Sequence, residues 1–228
     1  LGDNMLNDKR LRFVIGHYGS GKTEFSINYA VKLAEMGEKV ALADLDVVNL
    51  YFRSREKKQI LEEMGIRVIG SSVDASAVDI PAISAEIVVP MQDTSYEGII
   101  DVGGDPAGAR TLGRYKDYLV EGQYDMFFVL NANRPETQTV EKATEYLRKI
   151  EDTARAKVTG IINNTHMLKS TTVEDVLKGQ ELAEGLSNSI GIPIKYISCI
   201  ETVAKDLPKD LQGEIFPMKL YMREDWMI

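Results

Sequence analysis

Cysteine is almost missing from this sequence of 228 residues: Cys199 is the only one. A lone thiol excludes an internal disulfide framework and a Cys-x-x-Cys metal clamp within one chain, and it suits a reducing compartment. Histidine is equally scarce, with only His17 and His166, and two isolated imidazoles do not make a metal site. Long apolar runs are absent too. Nothing approaches the length that spans a bilayer, and no basic segment followed by an apolar run opens the chain, so a cytoplasmic location with no membrane role is expected. Positive charge is in deficit: 27 Lys and Arg against 35 Asp and Glu leave a net charge of −8. That balance repels nucleic-acid backbones unless a basic patch offsets it, and no nucleic-acid partner is expected. The tail carrying Lys219, Arg223, Glu224 and Asp225 is too mixed in charge for a membrane-binding helix.

What remains is an ordinary globular composition, 44% apolar and 27% charged, with length for one α/β domain. A single domain over residues 5–228 is expected, with Leu1-Gly2-Asp3-Asn4 set aside as an expression remnant ahead of Met5. Short apolar runs alternate with amphipathic stretches, which predicts βα units around a mainly parallel sheet with helices on both faces. Strands are predicted at 11–15, 39–43, 66–70, 96–101, 126–130, 158–162 and 194–197, the last closing the sheet. Helices are predicted over 23–36, 55–64, 111–120 and 136–150, and from an N-cap at Thr171 or Thr172 to just before Gly191. Within 71–96, broken by Pro81 and Pro90, only a short helix near 81–87 is expected. The apolar C-terminal stretch, including Phe216, Met218, Leu220 and Met222, is expected to strap back onto the domain.

Gly16-His17-Tyr18-Gly19-Ser20-Gly21-Lys22-Thr23 fits G-x-x-x-x-G-K-[ST] between a predicted strand and a predicted helix, the context in which that pattern binds phosphate. Its glycines let the backbone turn N–H groups toward the phosphates, and the helix behind adds its positive end. Lys22 is expected on the β and γ phosphates and the Thr23 hydroxyl on Mg²⁺. Asp101 ends an apolar strand, where a carboxylate orients the metal's water shell. Asp101-Val102-Gly103-Gly104 also fits D-x-x-G, so the Gly104 N–H is a candidate γ-phosphate sensor. Asp44 and Asp46 follow the second predicted strand. Asp46, farther into its loop, is the candidate for orienting the attacking water and a second candidate near the metal, whereas a capping role for Asp44 is as expected as a catalytic one. No Asn-Lys-x-Asp guanine-reading pattern occurs, which favours ATP. Arg134 either meets an anion or merely precedes a helix begun by Pro135 and Thr137. Cys199 is expected to pack beside the base.

Four segments, Gly16 to Thr23, Ala43 to Asp46, Ile99 to Gly104 and Gly160 to Asn164, resemble the MinD/ParA-type branch of P-loop ATPases, which includes nitrogenase iron protein. The resemblance implies a Rossmann-like three-layer fold over roughly residues 11–200 and Mg-ATP as ligand. It also implies Asp46 as the water-activating switch aspartate and Asn164 on adenine with Asn163 second. Members that dimerise around ATP carry a lysine after the first P-loop glycine; His17 stands there in this sequence. The leading expectation is an ATPase switch acting on a protein partner and binding ATP or ADP, with a homodimer open. The alternatives are a small-molecule kinase or ATP-dependent ligase, with Arg53, Arg55, Arg110 and Arg134 as acceptor-anion candidates, and a non-hydrolysing nucleotide sensor.

Overall fold

The computed structural model describes residues 2–45, 55–70, 85–104 and 106–222. Eight strands form one parallel sheet: β1 (Leu11–Ile15), β2 (Val40–Asp44), β3 (Arg67–Ile69), β4 (Glu97–Asp101), β5 (Tyr124–Leu130), β6 (Gly160–Asn163), β7 (Ile194–Ile200) and β8 (Glu214–Met218). Their order is β3-β2-β4-β1-β5-β6-β7-β8. The chain winds outward one way from β1 through β2 and the other way through β5, so the carboxyl ends of β4, β1 and β5 flank the point where the winding reverses. Open α/β sheets bind ligands at such a point.

Parallel strands need crossovers, and helices cover both faces, all but the first of them lying between strands. These are α1 (Gly2–Asn7), α2 (Lys22–Glu35), α3 (Arg55–Glu63), α4 (Val89–Gln92), α5 (Pro106–Leu112), α6 (Val140–Ala154), α7 (Val173–Ile190) and α8 (Glu201–Ala204). Strand alternation divides the core. Phe13 and Ile15 of β1 and Met126, Phe128 and Leu130 of β5 pack with Ala109, Leu147 and Leu186 from α5, α6 and α7. Their neighbours Val14, Phe127 and Val129 pack on the opposite face with Phe25, Ile27 and Leu33 of α2 and Leu61 of α3. All seven residues of β5 are buried, as a central strand covered on both faces requires.

The three-layer α/β fold expected from the sequence is the fold observed; several boundaries are not. β7 does not close the sheet. β8 pairs with it in parallel, Ile197 opposite Ile215 and Cys199 opposite Pro217, and buries Phe216 and Met218. The expected C-terminal strap is therefore a strand followed by an extended segment. The helix expected over 111–120 is α5 followed by a 3₁₀ stretch, Gly113–Tyr118. α6 begins four residues later than expected. Thr139 caps it, accepting from Lys142 N, and Pro135 and Thr137 lie in the loop before it. Pro90, read as a breaker, stands in the first turn of α4, where its missing N–H costs nothing. Of the stretch 71–96, residues 71–84 lie outside the described residues, and the helical part begins at a 3₁₀ segment, Ala85–Val88.

α1 begins at Gly2, inside the stretch set aside as a remnant. Beneath it the buried Asp8 carboxylate accepts from the Tyr29 hydroxyl at 2.7 Å and the Tyr196 hydroxyl at 2.5 Å, and pairs with Lys195 at 2.5 Å. Burial pushes both phenols well above their ordinary range. Among the described residues no helix is long and apolar enough to cross a membrane.

Candidate functional site

β1 delivers the chain into the loop 16–21 at the carboxyl edge of the sheet. Gly21 has φ 86°, and a Cβ there would come within 2.3 Å of Asn164 Nδ2, so both backbone and space demand glycine. As the N-cap of α2, Gly21 offers no side chain to its first turn. No N-cap side chain bonds the first turn of this 14-residue helix, and a terminus of that kind is one that can receive an anion.

Two groups meet this loop from α2. Lys22 is buried and its Nζ donates to His17 O at 3.3 Å. The Thr23 hydroxyl donates to Asp101 Oδ2 at 2.5 Å, bringing the end of β4 to the start of α2. A hydroxyl beside a carboxylate is a hard-oxygen pair of the kind Mg²⁺ prefers. Gly104 follows against the same loop: a Cβ on it would lie 2.7 Å from both Lys22 Nζ and Tyr18 N. Its carbonyl accepts from the Tyr146 hydroxyl of α6 at 2.5 Å. Asp44 ends β2 opposite Asp101 in the sheet register, while Asp46 lies outside the described residues.

β6 supplies the other side. Asn164 is buried, donating from Nδ2 to Ser20 O at 2.7 Å and accepting at Oδ1 from the Ser198 hydroxyl at 2.8 Å. Its amide is thus engaged in bracing the phosphate loop against β7, a contact that the expected adenine role did not anticipate. Asn163 points into α7 instead, donating to Val176 O and Gln180 Oε1, so it is not at the cavity.

A cavity of about 550 Å³ runs along this edge from the loop to the ends of β7 and β8. One part of its lining is Gly19, Gly21, Lys22 and Thr23; another is apolar, formed by Met167, Leu168, Ile200, Met218, Leu220 and Met222. The last two belong to the segment after β8, which is clamped to α2. Asn28 donates to Lys219 O and accepts from Lys219 N, both at 2.8 Å, and Glu24 accepts from the N–H groups of Tyr221 and Met222. Sequence reading missed Glu24, Asn28 and Tyr146, because neither an ordinary helical Asn or Glu nor a half-buried Tyr carries any local signal of a partner more than 40 residues away.

His17 does not line this cavity. Its Nδ1–H donates to Tyr18 O at 2.8 Å, its ring meets Tyr146 edge-on at 5.2 Å, and Nε2 lies 3.7 Å from Glu136. Tyr18 is 60% exposed beside the cavity mouth. Cys199 lies buried in the wall, and burial pushes its thiol up to about 12. Of the four arginines considered as anion ligands, Arg134 lines the cavity and Arg110 is exposed on α5; the side chains of Arg53 and Arg55 lie outside the described residues. No group of three or more His, Cys, Asp or Glu able to hold a metal occurs among the described residues.

The profile of the CobQ/CobB/MinD/ParA nucleotide-binding domain matches residues 13–202. The chain belongs to this family. The family match spans the phosphate loop, Asp101, Gly104 and Asn164 together. No curated protein matches the sequence. Among solved structures, FtsY from Thermotoga maritima is similar at 22% identity and TM-score 0.53, over 82% of this chain and 61% of that one. Chloroplast FtsY from Physcomitrella patens is similar at 18% identity and TM-score 0.54, over 81% and 57%. FtsY from Elizabethkingia anophelis in complex with GDP is similar at 18% identity and TM-score 0.52, over 81% and 55%. This CobQ/CobB/MinD/ParA member therefore spans less than two thirds of those chains, and the likeness is one of fold.

Proposed function

We propose that this chain is a Mg-ATP-binding switch that hydrolyses ATP and signals the nucleotide state to a protein partner. The observation that carries the proposal is the convergence, on an uncapped α2 terminus, of Lys22, the Thr23–Asp101 pair and Gly104. In this reading the backbone from Gly16 to Thr23, including His17, Tyr18, Gly19, Ser20 and Gly21, wraps the phosphates. Lys22 offsets the charge of the β and γ phosphates. Thr23 and Asp101 would hold Mg²⁺, which would supply positive charge against the phosphate oxygens. Asp46 remains the proposed water-orienting carboxylate.

Signalling follows from Gly104. Packed on Lys22 and Tyr18 and bound through its carbonyl to Tyr146, it links whatever occupies the γ-phosphate position to α6. Exposed Tyr18 and Met167 near the mouth offer apolar area for a protein partner, a second copy included. The cavity's chemistry favours adenine. Glu24 is the one carboxylate among its described lining residues, and it already accepts from Tyr221 and Met222 N–H. In this reading a carboxylate so engaged is a poorer acceptor for guanine's N1–H and N2–H donors than a free one, and unmet polar groups are what enforce base choice.

The test is turnover of ATP and GTP by the purified chain, with and without Mg²⁺. The proposal expects Mg-dependent phosphate release from ATP, GTP at least about tenfold poorer, and loss of release but not of binding in Asp46→Ala. Equal use of GTP would overturn the base assignment, and binding without any release would overturn the hydrolytic switch.

A further inference from the structure

Arg134 meets the loop 16–21 at Gly19, whereas Lys22 meets it at His17. The Arg134 Nε donates to Gly19 O at 2.8 Å, and its guanidinium lies flat on Gly19, where a Cβ would stand 2.8 Å from Cζ and 3.0 Å from Nη2. Gly19 is half-buried and lines the cavity together with Arg134, so the guanidinium sits at the loop's part of the lining. Among the described residues Nε is the only nitrogen of this guanidinium with a protein acceptor. A planar fork with one donor fixed and the Nη donors unspent suits the oxygens of a phosphate.

The segment that carries Arg134 is built to hold it still. The buried Asn131 accepts at Oδ1 from Asn133 N at 3.0 Å and at its carbonyl from the Thr137 hydroxyl at 3.1 Å. Ala132 N donates to Thr165 Oγ1 at 3.0 Å, tying the turn to the end of β6, and Thr137 N closes the turn onto Arg134 O at 3.0 Å. Fixing the backbone and one guanidinium nitrogen before ligand arrives reduces the ordering cost of binding. His17 is spent on Tyr18 O, Tyr146 and Glu136, so the loop's own second residue brings no cation to the cavity.

We propose that Arg134 is a phosphate-contacting residue that supplies, from within the same chain, a second fixed positive charge to the nucleotide's terminal phosphates. This rests on the reading of residues 16–23 as a nucleotide-phosphate site and adds the residue on which retention of the di- or triphosphate depends. It also gives Gly19 a reason: any side chain there displaces the guanidinium.

The experiment is calorimetric titration of MgATP, MgADP and AMP into the wild-type chain, Arg134→Gln and Arg134→Lys, with melting curves of each protein without nucleotide. Arg134→Gln is expected to weaken MgATP and MgADP on the order of tenfold or more, as loss of a charge-assisted contact does, with AMP little changed. Arg134→Lys keeps the charge but neither the Nε bond to Gly19 O nor the planar fork, and it is expected to recover part of the lost affinity, with all three melting curves alike. Wild-type affinity in Arg134→Gln overturns the inference. So does equal weakening in both variants with lowered melting, which would make Arg134 a brace for the loop. Absence of nucleotide uptake by the wild type overturns the site reading, and the inference with it; uptake that is lost in Lys22→Ala but indifferent to Arg134→Gln overturns the inference alone.

Discussion

Asn164 and Ser20, 144 positions apart in sequence, are joined by a 2.7 Å hydrogen bond from the Asn164 amide to the Ser20 carbonyl. The bond is buried, and the same amide accepts from Ser198, so one side chain just past β6 ties the loop 16–21 to β7. Asn164→Ala leaves the Ser20 carbonyl and the Ser198 hydroxyl without that partner. It is expected to cost about 1–3 kcal/mol of stability in urea unfolding and to weaken nucleotide binding in parallel. Asn164→Asp, which keeps an acceptor for Ser198 but loses the donor to Ser20, is expected to be no better.

Gly104→Ala tests the close approach to the phosphate loop. The added methyl would stand 2.7 Å from Lys22 Nζ and from Tyr18 N, so Lys22 must move or the loop after Asp101 must retreat. Nucleotide affinity is expected to fall on the order of tenfold or more, with far-UV circular dichroism unchanged.

Asp101→Asn tests the metal. The variant keeps an oxygen to accept from Thr23 but loses the negative charge. Wild-type ATP affinity is expected to drop on chelation of Mg²⁺, and the variant's affinity is expected to respond weakly to it, read as the ratio of dissociation constants with and without chelator.

The Cys199 thiol gives a pH prediction whose sign follows from burial. Burial raises it from 9.0 to about 12, so the folded state holds its proton over a window in which the unfolded chain has lost it. Its contribution to stability is full below about 9 and declines as pH rises toward about 12. At pH 8 the native chain carries about a thousandfold less thiolate than the denatured one, so alkylation by iodoacetamide is expected to be slow when folded and fast in urea.

Local chemistry was legible where it repeats along the chain. The strand 11–15, the glycine-rich loop after it and the capped helix from Thr172 each follow from nearest-neighbour rules: alternation, turn glycine, and the reciprocal bonds of Thr172 with Asp175. The start of α6 lies beyond the local signal, because Pro135 and Thr137 look like a helix start and only the bonds of Asn131 and Thr165 show that they belong to a turn tied to the segment after β6. β8 was read as a strap since nothing near 214–218 announces pairing with a strand whose last residue is Ile200. The resemblance expects Asn164 at the base, but its bond to Ser20 depends on how β1 and β6 lie in the sheet, which no local pattern encodes.

Nucleotide binding here requires that the backbone amides of residues 16–23, with Lys22, retain a magnesium triphosphate. Calorimetric titration of MgATP into the wild-type chain and Lys22→Ala measures it directly. The account predicts saturable one-site uptake by the wild type and loss of most of that affinity in the variant. No uptake by the wild type, or equal uptake by both, would contradict it.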